Sequence, residues 1–276
     1  MDLRTALLQG QQLLEQGNIS APRLTAEVLL AFAVGHDRSW LFAHSDEELK
    51  EVWWIHYGRY LHERLKGKPT QYITGTQEFF GRDFDVTPDV LIPRPETEHL
   101  IDAVLARAGD VDQRSPERIL DVGTGSGAIA VTVALETGAS VVGTDISPAA
   151  LRVAAANARR LQARVDLVAC DLASALAGPF DLIVSNPPYV PSAGKAGLQR
   201  EVRDFEPEIA LYGGPDGVDV YRRLIPQAFG LLKPKGWLVM ELGEAGPVRE
   251  LLSGWDDVDV LCDLAGLPRV VLARRP

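Results

Sequence analysis

A short apolar strand pattern that runs into a glycine-rich turn and then into a helical pattern constrains the fold of this chain more than any other feature. The strand pattern covers residues 118–122 and the helical pattern residues 128–135. The turn between them is Gly123-Thr124-Gly125-Ser126-Gly127. Glycine permits positive φ angles and close approach of a ligand, and the helix start behind the turn offers unpaired N–H groups. The pattern predicts an α/β sheet that binds a ligand at the carboxyl ends of its strands.

A second strand pattern, residues 140–144, ends on Asp145, about twenty residues beyond the turn, where a carboxylate can accept hydrogen bonds from both hydroxyls of a ribose. This arrangement suits a nicotinamide dinucleotide or S-adenosylmethionine. The glycines alternate as G-x-G-x-G instead of G-x-G-x-x-G, and Asp121 stands two residues before the first of them. These features resemble motif I of the class I methyltransferases and favour S-adenosylmethionine.

The same resemblance assigns further residues to the cofactor. It places the acid at the position of Asp121 near the methionine end, and it places Asp171, which follows the strand pattern 165–169, beside the adenine amino group. Ile146 and Leu172 follow two of these acids and are predicted to complete the site, although the family can have an aromatic residue where Leu172 stands. Taken singly, Asp121 and Asp171 are equally consistent with solvated carboxylates at strand ends.

A second candidate site follows the apolar strand pattern 180–185, and its sequence is Asn186-Pro187-Pro188-Tyr189. Consecutive prolines remove two backbone donors and fix φ, so the carbonyls of Asn186 and Pro187 are expected to stay free to accept hydrogen bonds. With an amide side chain and an aromatic face beside them, these acceptors suit a planar group that carries an NH2. A turn that simply ends the strand is the alternative.

Length and composition indicate a globular protein with two domains: the chain has 276 residues, of which 46% are apolar and 24% charged. The N-terminus lacks a basic region followed by a long apolar segment, and no apolar run approaches bilayer length. This predicts a cytoplasmic protein without membrane contact. Cys170 and Cys262 are the only cysteines, and we expect them to be buried free thiols.

The charge distribution argues against a nucleic-acid partner. The net charge is −10, and residues 1–75 carry nine acidic and eight basic side chains, so the remainder holds a net charge of −9. An acidic catalytic half repels phosphate backbones, which favours a protein or small-molecule substrate. All five histidines precede residue 100, and neither an H-E-x-x-H nor a G-x-S-x-G motif is present, which disfavours metalloenzymes and hydrolases.

Hydrophobic periodicity divides the chain into three predicted parts. Residues 1–75 show helical spacing and predict a small bundle, in which a capping box at 45–48 opens the third helix. Residues 76–92 alternate around a glycine and predict a β-hairpin linker, where Phe79 and Phe84 act either as a lid or as simple hairpin packing. Residues 93–276 alternate strand and helix patterns and end with three further strands.

Over nearly its whole length the chain resembles the protein-(glutamine-N5) methyltransferases of the PrmC or HemK family. Besides the glycine turn, the likeness rests on residues 68–75, 90–98, 185–189 and 201–207. The Pro-Arg-Pro-Glu stretch around Arg94 coupled to Asn-Pro-Pro-Tyr is its most specific part, because the second motif also occurs in enzymes that methylate adenine or guanine amino groups.

This resemblance implies a helical substrate-recognition domain and a Rossmann-like, seven-stranded methyltransferase sheet whose last strand is antiparallel. It implies S-adenosylmethionine as cofactor, no metal, and the glutamine in the Gly-Gly-Gln loop of class 1 peptide chain release factors as substrate. We expect the Asn186 side-chain oxygen and the Pro187 carbonyl to accept the two N–H bonds of that glutamine. Pro188 and Tyr189 are expected to wall the amide, with Arg94 near the substrate.

Three other functions compete with this interpretation. A nucleic-acid amino-methyltransferase would present the same kind of nitrogen, but the charge balance disfavours it. A nicotinamide-dependent oxidoreductase is disfavoured by the glycine spacing. A regulator that binds S-adenosylmethionine without catalysis has no need of the acceptors at Asn186 and Pro187.

Overall fold

The computed structural model of the protein describes residues 1–108 and 116–276 and divides into two compact units. The first comprises Met1–Gly75 and Gln199–Phe205, and the second comprises Thr76–Leu198 and Glu206–Pro276. A short segment that the sequence places in the methyltransferase domain thus groups with the helical unit. The three domain boundaries drawn from the sequence stay a prediction.

The helices and strands follow each other along the chain as α1 (Leu3–Gln16), α2 (Pro22–Val34), α3 (Arg38–Ala43), α4 (Glu51–Leu65), α5 (Thr70–Thr74), β1 (Thr76–Phe79), β2 (Arg82–Asp85), α6 (Glu98–Ala108), β3 (Arg118–Val122), α7 (Ala128–Thr137), β4 (Ser140–Asp145), α8 (Pro148–Arg160), β5 (Val165–Ala169), β6 (Phe180–Ser185), α9 (Arg200–Phe205), α10 (Asp219–Leu231), β7 (Leu232–Glu241), α11 (Ala245–Leu251), β8 (Asp256–Cys262) and β9 (Pro268–Arg274).

The first unit is the helical bundle that its periodicity predicts, with α1, α2 and α4 packed around leucines and the fully buried Tyr57. The predicted capping box is wrong, because α4 begins at Glu51 after Lys50 and has no side-chain cap. Residues 45–48 serve α1 instead: the carbonyls of Ser45 and Glu47 accept hydrogen bonds from the first free N–H groups of that helix.

The second unit contains a seven-stranded sheet in the order β5-β4-β3-β6-β7-β9-β8. Strands β3 to β7 pair in parallel, and the last strand, β9, is antiparallel to both of its neighbours. The central strands β3 and β6 are buried along nearly their whole length, as expected for a parallel sheet covered on both faces. The predicted α/β fold with an antiparallel last strand is confirmed.

The hairpin of β1 and β2 turns at Phe80 and Gly81, both of which have positive φ. Phe79 and Phe84 are fully buried and contact each other edge to face, with ring centroids 6.1 Å apart. They belong to the same apolar core as α6 and α7. The lid role considered for these two residues is therefore wrong, because removing either ring from the core would expose a large apolar surface.

Within the described residues, no helix is both long and apolar enough to cross a membrane, and no cluster of three or more metal-ligating side chains occurs. Both cysteines are free. Cys170 is half-buried and Cys262 is exposed, so the predicted burial of both thiols is wrong. Cys262 ends the edge strand β8, where one face of the strand is open to solvent.

Candidate active site

The register of the sheet brings the two sequence motifs to one edge. Val122, the last residue of β3, lies opposite Thr144 of β4 on one side and Ser185 of β6 on the other. The glycine turn, Asp145 and Asn186 therefore leave the sheet at the same level. The strand order also reverses between β3 and β6, and open α/β sheets bind their ligands at such a switch point.

The glycine turn is bent tightly onto the end of β4. The N–H groups of Gly123 and Thr124 both donate to the Thr144 carbonyl at 2.8 Å, and the three glycines of the turn have φ angles of 55° to 82°. A Cβ atom on Gly127 would lie 3.1 Å from the Cβ of Ala154 on α8. Both the backbone conformation and this close packing require glycine.

Asp121 lies behind the turn and is fully buried. Its Oδ2 accepts hydrogen bonds from the Thr124 hydroxyl at 2.6 Å and from the Ala130 N–H at 3.1 Å, whereas its Oδ1 has no partner in the described part of the chain. Burial raises the pKa of this carboxyl to about 7, because a charged form without a counter-ion is poorly solvated there. The free oxygen suits a cationic or N–H-bearing ligand group.

Asp145 fixes the shape of the turn from the neighbouring strand. Its Oδ2 accepts a hydrogen bond from the Gly125 N–H at 2.9 Å, and its Oδ1 accepts one from the Ser147 N–H at 2.8 Å. Each carboxylate oxygen has a further lone pair. The side chain can therefore hold the turn and accept ligand hydroxyls at the same time.

A cavity of about 280 Å³ opens in front of the turn. The residues of the predicted adenosine site and the two residues of the Asn-Pro-Pro-Tyr motif that line it are Gly123, Gly125, Asp145, Ile146, Asp171, Leu172, Asn186 and Pro188. Asp121, Thr124, Ser126 and Gly127 are buried and are not part of the cavity wall. Arg94, Pro187 and Tyr189 are also absent from this wall.

Asp171 and Leu172 form the far end of the cavity. The Asp171 carboxylate pairs with the Arg223 guanidinium of α10, and about half of each side chain is exposed. Leu172 has a positive φ of 53°, and Ile146 is exposed at 52% where it lines the cavity. An adenine ring therefore has aliphatic faces and one guanidinium available, and no aromatic ring from the position of Leu172.

Asn186 is held by a chain of hydrogen bonds. Its Nδ2 donates to the Thr97 hydroxyl at 3.2 Å, and that hydroxyl donates to Oε2 of Glu241 at 2.6 Å. The Asn186 oxygen Oδ1 has no hydrogen-bond partner in the described residues. The amide oxygen thus remains available to accept an N–H group from a ligand in the cavity.

Tyr189 faces a second cavity of about 230 Å³, which it lines with Tyr221, Gly243 and Val248. A Cβ on Gly243 would lie 2.8 Å from the Tyr189 ring, so the ring packs directly on that backbone. Its hydroxyl donates to Oε1 of Glu241 at 3.4 Å, and burial raises the pKa of the phenol to about 12. The contact of this ring with a substrate amide stays a prediction.

Arg94 pairs with Glu206, whose side chain is almost completely buried, at 2.6 Å. The second Glu206 oxygen accepts the Ile92 N–H at 3.3 Å. The residues that follow Glu206, namely Pro207, Ile209, Ala210 and Tyr212, form one wall of the larger cavity.

Several residues of this site were missed in the sequence. Hydrogen bonds or ion pairs connect predicted site residues to Thr97, Glu241 and Arg223. None of these three residues belongs to a recognisable motif in the sequence around it. The position of Thr97 directly after the Pro-Arg-Pro-Glu stretch is the one signal that pointed to it. Glu241 is the last residue of the apolar strand β7, just as Asp145 is the last residue of β4. An acid at the end of an apolar strand was therefore a signal that could have identified Glu241.

Comparison with known proteins adds two matching family models. The model described as "PrmC N-terminal domain" matches residues 5–75, and the model described as "Methyltransferase small domain" matches residues 103–201. A release factor glutamine methyltransferase from Koribacter versatilis is 48% identical over 100% of this chain and 99% of its own length. One of the same name from Moorella thermoacetica is 45% identical, again over 100% of this chain and 99% of its own.

Solved structures share the sheet and its covering helices at low identity. The hMettl16 catalytic domain in complex with an RNA hairpin covers 78% of this chain and 81% of its own, with a TM-score of 0.56 and 19% identity. A 16S rRNA N2 G1207 methyltransferase from Thermus thermophilus, solved with AdoMet and guanosine, covers 73% of this chain and 50% of its own, with a TM-score of 0.55 and 21% identity. These likenesses show a methyltransferase fold.

Proposed function

The chain belongs to the family of release factor glutamine methyltransferases, and we propose that it transfers the methyl group of S-adenosylmethionine to the glutamine side-chain nitrogen in the Gly-Gly-Gln loop of a class 1 release factor. The observation that carries this proposal is the position of Asn186 in the wall of the same cavity as the glycine turn. Asn186 and Asp145 line the same cavity, and the Asn186 nitrogen is used by Thr97, which leaves the amide oxygen for a substrate carboxamide.

The residues around the turn suit S-adenosylmethionine. Asp145 offers two carboxylate oxygens to the ribose hydroxyls, and the turn glycines permit close approach of the ligand. The resemblance assigns Asp121 to the methionine part, although its carboxyl is buried and does not line the cavity. Ile146 and Leu172 offer apolar contacts to the adenine, and Asp171 an acceptor to its amino group. When bound, the cofactor supplies a methyl group on positively charged sulfur.

A glutamine amide nitrogen is a weak nucleophile, because its lone pair is delocalised into the carbonyl. Acceptance of its two N–H bonds by Asn186 Oδ1 and the Pro187 carbonyl holds the nitrogen in place and favours localisation of that lone pair. A cofactor bound here would supply its methyl group to this nitrogen, and the neutral thioether would be the leaving group. The nitrogen then loses a proton, so no strong base is needed before transfer. Pro188 walls the cavity, whereas Tyr189 and Arg94 do not line it and stay predicted substrate contacts.

Incubation with labelled S-adenosylmethionine and a purified release factor tests the function. We expect one added methyl group, which tandem mass spectrometry locates on the Gly-Gly-Gln glutamine. A release factor with that glutamine changed to asparagine is the matched control and should remain unlabelled. Total RNA and DNA form two further arms, and transfer of label to either of them instead of the release factor would support the nucleic-acid alternative and reject the proposal.

A further inference from the structure

We propose that Thr97 and Glu241 are positioning residues that determine which way round the Asn186 amide faces, and this inference rests on the proposed function. Neither side chain lines the larger cavity, and both are nearly fully buried. Both act through Asn186, which does line it. Their task is to make the amide present oxygen, instead of nitrogen, to the substrate.

The argument begins with the number of hydrogens on Thr97. A threonine hydroxyl has one hydrogen and two lone pairs. In its ionised form the Glu241 carboxylate can only accept, so its 2.6 Å contact between Oε2 and Thr97 Oγ1 takes up that one hydrogen. Towards Asn186 the hydroxyl therefore offers only lone pairs, which accept from an NH2 group and repel a carbonyl oxygen. The two ends of an asparagine amide are nearly equal in shape, so this difference in polarity selects the orientation.

Glu241 is placed for this task by the sheet. Ser185 of β6 pairs with Met240 of β7, so Asn186 and Glu241 leave neighbouring strands at the same level. The Tyr221 hydroxyl donates to the Glu241 backbone carbonyl at 2.7 Å and holds the strand end. The second carboxylate oxygen, Oε1, accepts the Tyr189 hydroxyl at 3.4 Å, so the carboxylate reaches Tyr189 directly and Asn186 only through Thr97.

The burial of Glu241 calls for such a role. In the described part of the chain no lysine or arginine forms an ion pair with it, and burial raises the pKa of its carboxyl. A buried carboxylate without an ion pair costs stability unless hydrogen bonds offset its desolvation, and here those bonds come from Thr97 and Tyr189. Orientation of Thr97 and Asn186 is the one consequence that its hydrogen bonds have for the cavity.

The test compares Thr97→Val with Thr97→Ser by steady-state kinetics on a release factor. Valine keeps the shape and removes the acceptor, whereas serine keeps the hydroxyl. We expect Thr97→Val to lower kcat at least about tenfold, with the affinity for S-adenosylhomocysteine within about twofold of wild type, and Thr97→Ser to stay within about threefold of wild-type kcat. In the Asn186→Ala background, Thr97→Val should have no further effect, because its partner is gone.

Two results would overturn the inference: wild-type turnover by Thr97→Val, or an equal loss in the presence and absence of the Asn186 side chain, as expected for general loosening of the fold. If Thr97→Val is too unstable to purify, Glu241→Gln replaces it. Its neutral amide weakens the hold on the Thr97 hydrogen, and unchanged kcat in that variant contradicts the role of the carboxylate.

Failure of the proposed function is recognised separately, because the wild-type protein would then leave the release factor unlabelled. The inference is decided in that case by the side-chain NH2 resonances of Asn186, identified by their loss in Asn186→Ala. We expect their exchange with solvent to accelerate in Thr97→Val and to stay unchanged in Thr97→Ser. Equal exchange rates in both variants would reject the orientation by Thr97.

Discussion

Glu206 and Arg94 form an ion pair in which the glutamate is buried and the arginine is partly exposed, with a nitrogen to oxygen distance of 2.6 Å. The same carboxylate accepts the Ile92 N–H. Glu206 therefore ties the segment before α6 to the residues that wall the larger cavity, of which Pro207 is the next in the chain.

Glu206→Gln is expected to destabilise the protein. The neutral amide loses the charge-assisted bond to Arg94, and we expect the free energy of unfolding to fall by about 2 kcal/mol, measured by urea denaturation. Glu208→Gln is the matched control two residues away, because Glu208 and its partner Lys195 are largely exposed. Equal midpoints for the two variants would show that the buried pair contributes nothing.

Asn186→Ala is expected to separate binding from catalysis. The variant loses an acceptor that acts on the reacting nitrogen, and we expect kcat to fall by about 10²-fold. Calorimetric titration with S-adenosylhomocysteine serves as the control and should give the wild-type affinity. Turnover like that of the wild type would remove Asn186 from the mechanism.

Asp145→Ala is expected to weaken cofactor binding. The substitution removes acceptors for the ligand hydroxyls and releases the N–H groups of Gly125 and Ser147, and we expect the Kd for S-adenosylmethionine to rise at least about tenfold in calorimetry. Asp166→Ala removes an exposed carboxylate from the neighbouring strand β5 and should leave the Kd unchanged. An unaltered Kd for Asp145→Ala would refute the ribose assignment.

The buried Asp121 carboxyl predicts a pH effect on stability. Its pKa is about 7 in the folded chain and 3.8 in its ordinary environment, so folding binds a proton between these values. The stabilisation is complete below the lower pKa and is lost as the pH rises through about 7. Asp121→Asn lacks this titration. The melting temperature of the variant minus that of the wild type should therefore become more positive from pH 5 to pH 8. A constant difference would contradict the raised pKa.

Local sequence patterns predicted the position of Asp145 and Asn186 at one edge of the sheet, and their roles stay a prediction. Asp145 and Asn186 each follow an apolar strand, and parallel strands bring their carboxyl ends to one edge whatever the order of pairing. The glycine turn was also predictable from the sequence, because the positive φ of Gly127 and its close contact with Ala154 permit little besides glycine there.

The remaining parts depend on the register between strands and segments that are far apart in the chain. Glu241 meets Thr97 across 144 residues, and no local pattern encodes that distance. The pattern of aromatic and polar residues around Phe79 and Phe84 is the same for an exposed lid and for a buried hairpin. Only the tertiary structure shows that both rings are buried against α6 and α7. Tyr189 stands in the predicted motif, yet its ring turns to a different cavity from Asn186.

The reversal of strand order between β3 and β6 separates two sets of loops. On one side, the glycine turn follows β3, and the acids assigned to the nucleoside lie at the end of β4 and after β5; on the other side, Asn186 follows β6 and Glu241 ends β7. Each set belongs to its own half of the sheet, and the two meet in one cavity, where Asp171 pairs with Arg223. The fold thus divides the labour between the halves of the sheet: one half supplies the residues assigned to the methyl donor, and the other supplies those assigned to the methyl acceptor.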